Sequence, residues 1–256
     1  MILALDVGNT NIVLGCIDGE NVYFEGRLAT DRNKTETEYA VMFKNILDIY
    51  DVDLSLLEGA IISSVVPPLN EILRRAVHVV TGFEPIEVSL NKNTGLKVDV
   101  DNPDELGNDL TVAAVAALSE FKPPMIIIDM GTATTFSVIN KNGVLCGGAI
   151  MPGVKISQEA LSGRTSQLPG ISISETDRVI GRNTVACMKS GMIFGTAAML
   201  DGMIDRIETE LGEKTTVIAT GGLSKDIICH CKKEIIFKDD LLIKGLWAIY
   251  QKNKIS

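Results

Sequence analysis

Apolar positions near the start of the chain come in short runs separated by turn residues. Residues 2–6 form an apolar run that ends on a carboxylate, Asp6. Gly8, Asn9, Thr10 and Asn11 follow, then a second apolar run over residues 12–17. Asp18-Gly19 is a strong hairpin signal, and residues 22–28 read as a third strand. The same order recurs from Met125. Residues 125–129 are again apolar and end on a carboxylate, Asp129; Gly131, Thr132, Ala133 and Thr134 follow, then a strand over 136–139. Asn142-Gly143 supplies a second hairpin turn, and residues 144–150 the next strand. Asp6 and Asp129 are 123 positions apart, as are Gly8 and Gly131, whereas Gly19 and Gly143 are 124 apart. The slip of one residue falls in the second strand or its turn.

Each triplet of strands is followed by segments with helical spacing. These are residues 37–50, 70–81 and 105–121 in the first half, and 154–161, 184–211 and 241–251 in the second. Further strands are expected at 59–65 and 215–219. Strand runs alternating with helices predict an α/β protein. The repeat predicts two similar domains, 1–121 and 122–256, with a central cleft between them; Pro123-Pro124 breaks the helix before the junction. Met188, Met192, Met199 and Met203 lie on one face of the expected long helix. That stripe reads first as core and second as a soft subunit interface.

Charge narrows the function. Lys and Arg number 24 against 33 Asp and Glu, a net charge of −9 in 256 residues. So acidic a fold repels phosphate backbones, which argues against direct nucleic-acid binding. If it handles an anion, it must use backbone N–H groups, helix ends, metal ions or a few local cations. The early carboxylate at Asp6 interrupts any signal-peptide core, no apolar run is long enough for a membrane span, and the five cysteines are scattered and odd in number. The expectation is a cytoplasmic protein with free thiols. His78 and His230 are its two histidines, which leaves few bases for a Ser-His-Asp or Cys-His hydrolase.

The repeated D-x-G turn is where chemistry is expected. Glycine allows close backbone approach to a ligand, and successive N–H groups after it form a concavity suited to anions. An Asp at the strand end cannot bind phosphate directly but can hold a cation or its water shell against it. No G-x-x-x-x-G-K-[ST], no G-x-G-x-x-G after the first strand and no protein-kinase motif set occurs.

These motifs resemble the actin/Hsp70/sugar-kinase superfamily and, within it, the type III pantothenate kinases. The stretches that carry the resemblance are D-V-G-N-T-N at 6–11, T-D-R-N-K-T-E at 30–36, S-S-V-V-P-P at 63–68 and N-P-D-E-L-G-N-D at 102–109. D-M-G-T-A-T-T at 129–135, G-G-A-I-M-P-G at 147–153 and A-T-G-G-L at 219–223 complete them. The resemblance implies two ribonuclease H-like, actin-like ATPase domains. It implies phosphorylation of pantothenate to 4′-phosphopantothenate, the first step of coenzyme A synthesis, using ATP with Mg²⁺ and a monovalent cation, K⁺ or NH₄⁺.

By that resemblance, Asp6, Gly8, Asn9, Thr10 and Asn11 form the first phosphate loop, and Asp6 holds Mg²⁺ through water. Gly131, Thr132 and Thr134 form the second loop, with Asp129 beside the monovalent cation. Gly221 and Gly222 lie against the adenosine. Asp109 matches the catalytic Asp. Val100, Gly107, Asn108, Asp109, Leu110 and Thr165 fall on the pantothenate side, and a homodimer is implied. The sequence departs from the family pattern twice. Leu110 stands where an arginine usually follows the Asp, and Val100 where a tyrosine is frequent. Arg164, beside Thr165, is the candidate substitute for the missing cation. Two rival readings remain: a nucleotide-binding regulatory homologue, some members having been described as accessory factors for transcription, and a kinase for a different small hydroxyl acceptor.

Overall fold

Residues Ile2–Val7 form strand β1, and every side chain on it is buried. Such a run is apolar on both faces because helices cover both sides of the sheet it centres. The computed structural model describes residues 1–90, 94–173, 176 and 178–254. After β1 come β2 (Asn11–Asp18), β3 (Asn21–Ala29), α1 (Glu36–Ile49), β4 (Ala60–Ser64), α2 (Asn70–Thr81), β5 (Ile86–Glu87), β6 (Lys97–Val98) and α3 (Asn108–Glu120). Then follow β7 (Met125–Met130), β8 (Ala133–Ile139), β9 (Val144–Pro152), α4 (Val154–Arg164), α5 (Thr184–Leu211), β10 (Thr216–Thr220), α6 (Ser224–Ile228), β11 (Ile236–Phe237) and α7 (Leu241–Lys254).

The chain divides into two units. One comprises Met1–Leu96, Asp101–Glu120 and the segment from Asp240; the other comprises Lys97–Val100 and Phe121–Asp239. The expected repeat is realised in the sheets. The first has the order β3-β2-β1-β4-β5, and the second has β9-β8-β7-β10-β11 with β6 added beside β9. In each, the three hairpin-linked strands are antiparallel and the last two join in parallel. Gly19 and Gly143 take positive φ in the turns between the second and third strands of each triplet. Both copies carry a register shift between the second and third strands, after Cys16 in one and Val138 in the other, and the turn between these strands is longer in the second copy, 140–143 against 19–20.

In the first unit the two-residue period of β1 sorts its side chains. Leu3, Leu5 and Val7 pack with Tyr39 and Phe43 of α1 and with Leu73 and Val77 of α2. Ile2 and Ala4 pack on the other face with Val112 and Val115 of α3 and with Ile243, Leu246 and Ile249 of α7. Thr35 and Glu38 form a capping box that fixes the start of α1.

The expectation that 122–256 forms one domain is corrected at its end. Helix α7 packs on α3, β1, β2 and β4 of the first unit. Its apolar stripe supplies the second cover of that sheet, and the Tyr250 hydroxyl donates to the Glu58 carbonyl at 3.1 Å. The third expected helix is also shorter: Pro103–Glu105 is a separate 3₁₀ turn, and α3 starts at Asn108.

In the second unit, Met192 of α5 lies in the core, Met199 and Met203 pack against it, and Met188 is buried, so the methionine stripe is core. Glu208 of α5 is buried and accepts hydrogen bonds from Lys214 Nζ at 2.7 Å, Thr215 N at 3.1 Å and Lys233 Nζ at 3.1 Å. Burial alone would raise its pKa. The donors outweigh that and bring it down to about 2. A lowered carboxylate stabilises the fold above its unfolded pKa, near 4.5, and that contribution is lost as pH falls toward 2. Glu208→Gln should therefore reduce the unfolding free energy at neutral pH by about 2 kcal/mol. Denaturant titrations of both proteins should converge as pH drops below about 4; a constant difference would refute the charge-based account.

Candidate active site

In the first unit Asp6 is the next-to-last residue of β1 and is 8 % exposed. By the alternation of the strand it shares the face of Ile2 and Ala4, the face covered by α3 and α7. The chain then turns tightly. Gly8 N–H donates to Asn11 O at 2.9 Å, and the Thr30 hydroxyl donates to Gly8 O at 2.7 Å. Thr30 N–H donates to Thr10 O at 2.9 Å. Gly8, Asn9, Thr10 and Asn11 are thus brought together as one loop at the end of the central strand, Asn9, Thr10 and Asn11 being exposed.

Arg32 reaches this loop, its Nη2 donating to Asn9 Oδ1 at 3.1 Å. The segment carrying Arg32 is pinned by the Tyr39 hydroxyl, which donates to Asp31 O at 2.8 Å and accepts from Asp31 N at 3.0 Å. An exposed cation beside the loop is what an acidic protein needs to handle an anion. No role was assigned to Arg32 from sequence. The signal lay in the T-D-R-N-K-T-E stretch, but only the fold shows which loop it meets.

Asp109 lies in the first turn of α3. Asn108 Nδ2 donates to Ser64 O at 3.1 Å and ties this turn to the end of β4, beside Val7 of β1. Gly107, Asn108, Asp109 and Leu110 are therefore gathered near the end of the two central strands. The Asp109 carboxylate accepts from Leu110 N at 2.8 Å. Burial raises its pKa above the ordinary carboxylate value, partly offset by that backbone donor. Gly107 abuts the carboxylate, whose Oδ1 occupies the space a Cβ would need. Leu110 is half-buried.

The second unit repeats the strand-end arrangement. Asp129 is the next-to-last residue of β7, and Gly131 and Thr132 make the turn into β8. Thr134 is 1 % exposed. Gly153 N–H donates to Thr132 O at 3.1 Å, so α4 begins directly on this loop, its positive dipole end beside Thr132. A side chain on Gly153 would overlap the Gly131 and Thr132 carbonyl oxygens. The turn after β10 closes on the same place: Gly221 has φ +98°, and a Cβ on it would lie 2.6–2.8 Å from the backbone of Met130. Asp129, Gly131, Thr132, Thr134, Gly153 and Gly221 thus form one cluster, with Gly222 exposed next to it. Gly153 was not singled out from sequence, although it ends the quoted P-G stretch.

Val100, Thr165 and Arg164 belong to the second unit, apart from the Gly107–Leu110 group of the first. Val100 is half-buried two residues after β6. Thr165 caps α4 and donates its hydroxyl to Leu161 O at 2.7 Å. Arg164 is exposed. A cavity of about 380 Å³ in this unit is lined by Thr176, Arg178, Ile180, Arg182, Asn183 and Ala186 among others.

The donors fit hard cations. Asp6 and Asp129 are carboxylates, and Ser63 Oγ, Thr134 Oγ1 and Thr135 Oγ1 are buried oxygens without hydrogen-bond partners among the described residues. No group of three His, Cys, Asp or Glu residues able to hold a metal occurs among the described residues. A cation at Asp6 would therefore take part of its ligand shell from water. No described helix is long and apolar enough to cross a membrane.

A family model described as type III pantothenate kinase matches residues 2–206. A type III pantothenate kinase of Exiguobacterium sp. is 43% identical over 254 residues, covering 99% of this chain and 100% of the relative. One from Geobacter sulfurreducens is 40% identical with the same coverage. Among solved structures, a conserved putative Baf family transcriptional activator from Campylobacter jejuni superposes with a TM-score of 0.63 at 17% identity, covering all of both chains. The activator of 2-hydroxyisocaproyl-CoA dehydratase from Clostridium difficile, with bound ADPNP, gives 0.55 at 12% identity, covering 100% of this chain and 97% of that one. These two likenesses show a shared fold.

Proposed function

The chain belongs to the type III pantothenate kinase family, and we propose on that premise that it transfers the γ-phosphoryl group of ATP to the primary hydroxyl of pantothenate. The products are ADP and 4′-phosphopantothenate, the first step of coenzyme A synthesis. The observation that carries the reading is the position of Asp109. A carboxylate with a raised pKa starts a helix that is bonded to the strand beside Asp6.

Asp109 accepts the proton of the acceptor hydroxyl as its oxygen attacks the γ-phosphorus and the bond to ADP breaks. The raised pKa makes Asp109 a better proton acceptor than an ordinary carboxylate. In the first unit the phosphate-binding candidates are the Asn9–Asn11 turn and the Arg32 guanidinium. In the second unit they are the Gly131–Thr134 loop and the start of α4. Bound Mg²⁺ supplies charge neutralisation on the phosphate oxygens, and Asp6 orients its water shell; Asp129 holds the monovalent cation. Gly221 and Gly222 face the adenosine. The acceptor meets Gly107 to Leu110. Two copies of the chain form the working dimer. Catalysis of this kind is positioning and electrostatics, with no covalent intermediate on the protein.

The direct test incubates the protein with ATP, Mg²⁺, K⁺ and pantothenate and follows ADP release and product mass. Stoichiometric ADP and phosphopantothenate are expected. ATP binding without turnover, or turnover only with other hydroxyl compounds, refutes the proposal. A sharper test uses Leu110. An arginine there would add a charge-assisted contact to the acceptor carboxylate, about 1.5–3 kcal/mol. Leu110→Arg should lower the apparent KM for pantothenate by roughly ten- to a hundredfold with little change in the KM for ATP. An unchanged KM would show that position 110 does not face the acceptor.

A further inference from the structure

Ser63 of β4 is fully buried, and its Oγ has no hydrogen-bond partner among the described residues. A buried hydroxyl left unpaired costs about 1–3 kcal/mol, so its retention calls for a partner that arrives with a ligand. The sheet register shows what lies beside it. Ser63 pairs with Asp6 across the parallel β1–β4 ladder, so the two side chains stand side by side on one face. Ile61, two residues earlier, lies in the core with Val112 of α3, which fixes that face as the one α3 covers. The first turn of α3 carries Asp109 and is bonded to Ser64 O, the carbonyl next to Ser63. Ser63 therefore sits in the strand between the cation-holding carboxylate and the helix of the proton acceptor. Its hydroxyl makes no direct bond to Asp6. The repeat supports this placement: in the second unit Thr220, also a buried hydroxyl residue, pairs with Asp129 at the equivalent position of β10.

We propose that Ser63 is a positioning residue for Mg²⁺: its hydroxyl bonds to the water shell that Asp6 holds, and it aligns that shell against the phosphates of ATP. This rests on the kinase reading of the same site. Ser63→Ala in the full chain should leave metal-free ATP affinity within about twofold, because the proposed partner of the hydroxyl is the metal's water shell and not the nucleotide. The Mg²⁺ concentration that half-saturates ATP binding, measured by calorimetry, should rise about tenfold, the worth of one hydrogen bond to a charged shell. Ser63→Thr, which copies the residue of the second unit, should restore it.

The thermal midpoint without metal gives an independent readout. Removing an unpaired buried hydroxyl should leave it equal or higher. A lower midpoint would mean that Ser63 has a structural partner, and would overturn the proposal. So would an unchanged Mg²⁺ requirement in Ser63→Ala when the wild-type protein is Mg²⁺-dependent. A wild-type protein whose ATP affinity ignores Mg²⁺ would instead remove the kinase reading, and this inference with it.

Discussion

Asp109→Asn is expected to lower kcat by about 10²–10⁴-fold, the usual contribution of a positioned proton acceptor, while the KM for ATP changes little. The amide keeps the shape and cannot take the proton. The wild-type pH profile of kcat/KM for the acceptor should fall on the acid side with an apparent pKa above the ordinary Asp value of 3.8, because burial holds the Asp109 carboxyl up. In the variant that limb should vanish from whatever activity remains. Stability should move the other way. A carboxyl whose pKa is higher folded than unfolded favours folding when protonated, and that advantage is lost as pH rises through the folded value. Above the folded pKa the ionised group is a burden, so there the neutral amide should unfold at an equal or higher temperature. A variant that keeps wild-type kcat would remove Asp109 from the chemistry. One that is inactive but also strongly destabilised would make its role structural.

Gly221→Ala should have an effect of similar size by a different route. At φ +98° an L-residue is strained, and its Cβ would stand 2.6 Å from Met130 O and 2.8 Å from Met130 N. Neither atom can yield without disturbing the β7–β10 pairing, which runs through Asp129 and Thr220. The loss should be about 3 kcal/mol of unfolding free energy, with ATP affinity reduced more than tenfold. Gly222 is exposed and absent from the positive-φ positions. Gly222→Ala should therefore leave stability within about 0.5 kcal/mol and show only the binding defect of a nucleotide-facing side chain. Equal stability of the two variants would show that the Met130 contact does not constrain the turn.

The part of this site legible in the sequence is the part written locally. A strand that ends in Asp, then Gly, then small polar residues carries its own geometry, and the repeat at Asp6 and Asp129 marks both copies. Helices α1 and α2 are likewise announced by the helical spacing over 37–50 and 70–81. What failed to show was whatever depends on partners distant in the chain. An apolar stripe tells that α7 has a buried face but not that α3 and β1 receive it. Strands β5, β6 and β11 have two residues each, too few for a period to register. Arg32 and Gly153 sit in motifs quoted from sequence, but their roles depend on contacts with Asn9 and Thr132 that spacing alone does not encode. Ser63 is plainer still: a serine at the end of a largely apolar strand becomes informative only once the register sets it beside Asp6.

The placement of α7 has a consequence for how the chain is made. Phe121–Asp239 is continuous apart from the short Lys97–Val100 strand segment, so that unit can mature while synthesis is still under way. The unit holding Asp6 and Asp109 cannot. One side of its sheet is covered by α3 alone until the ribosome has released Ile243, Leu246 and Ile249, and throughout that interval Ile2, Ala4 and Val112 lack part of their apolar cover.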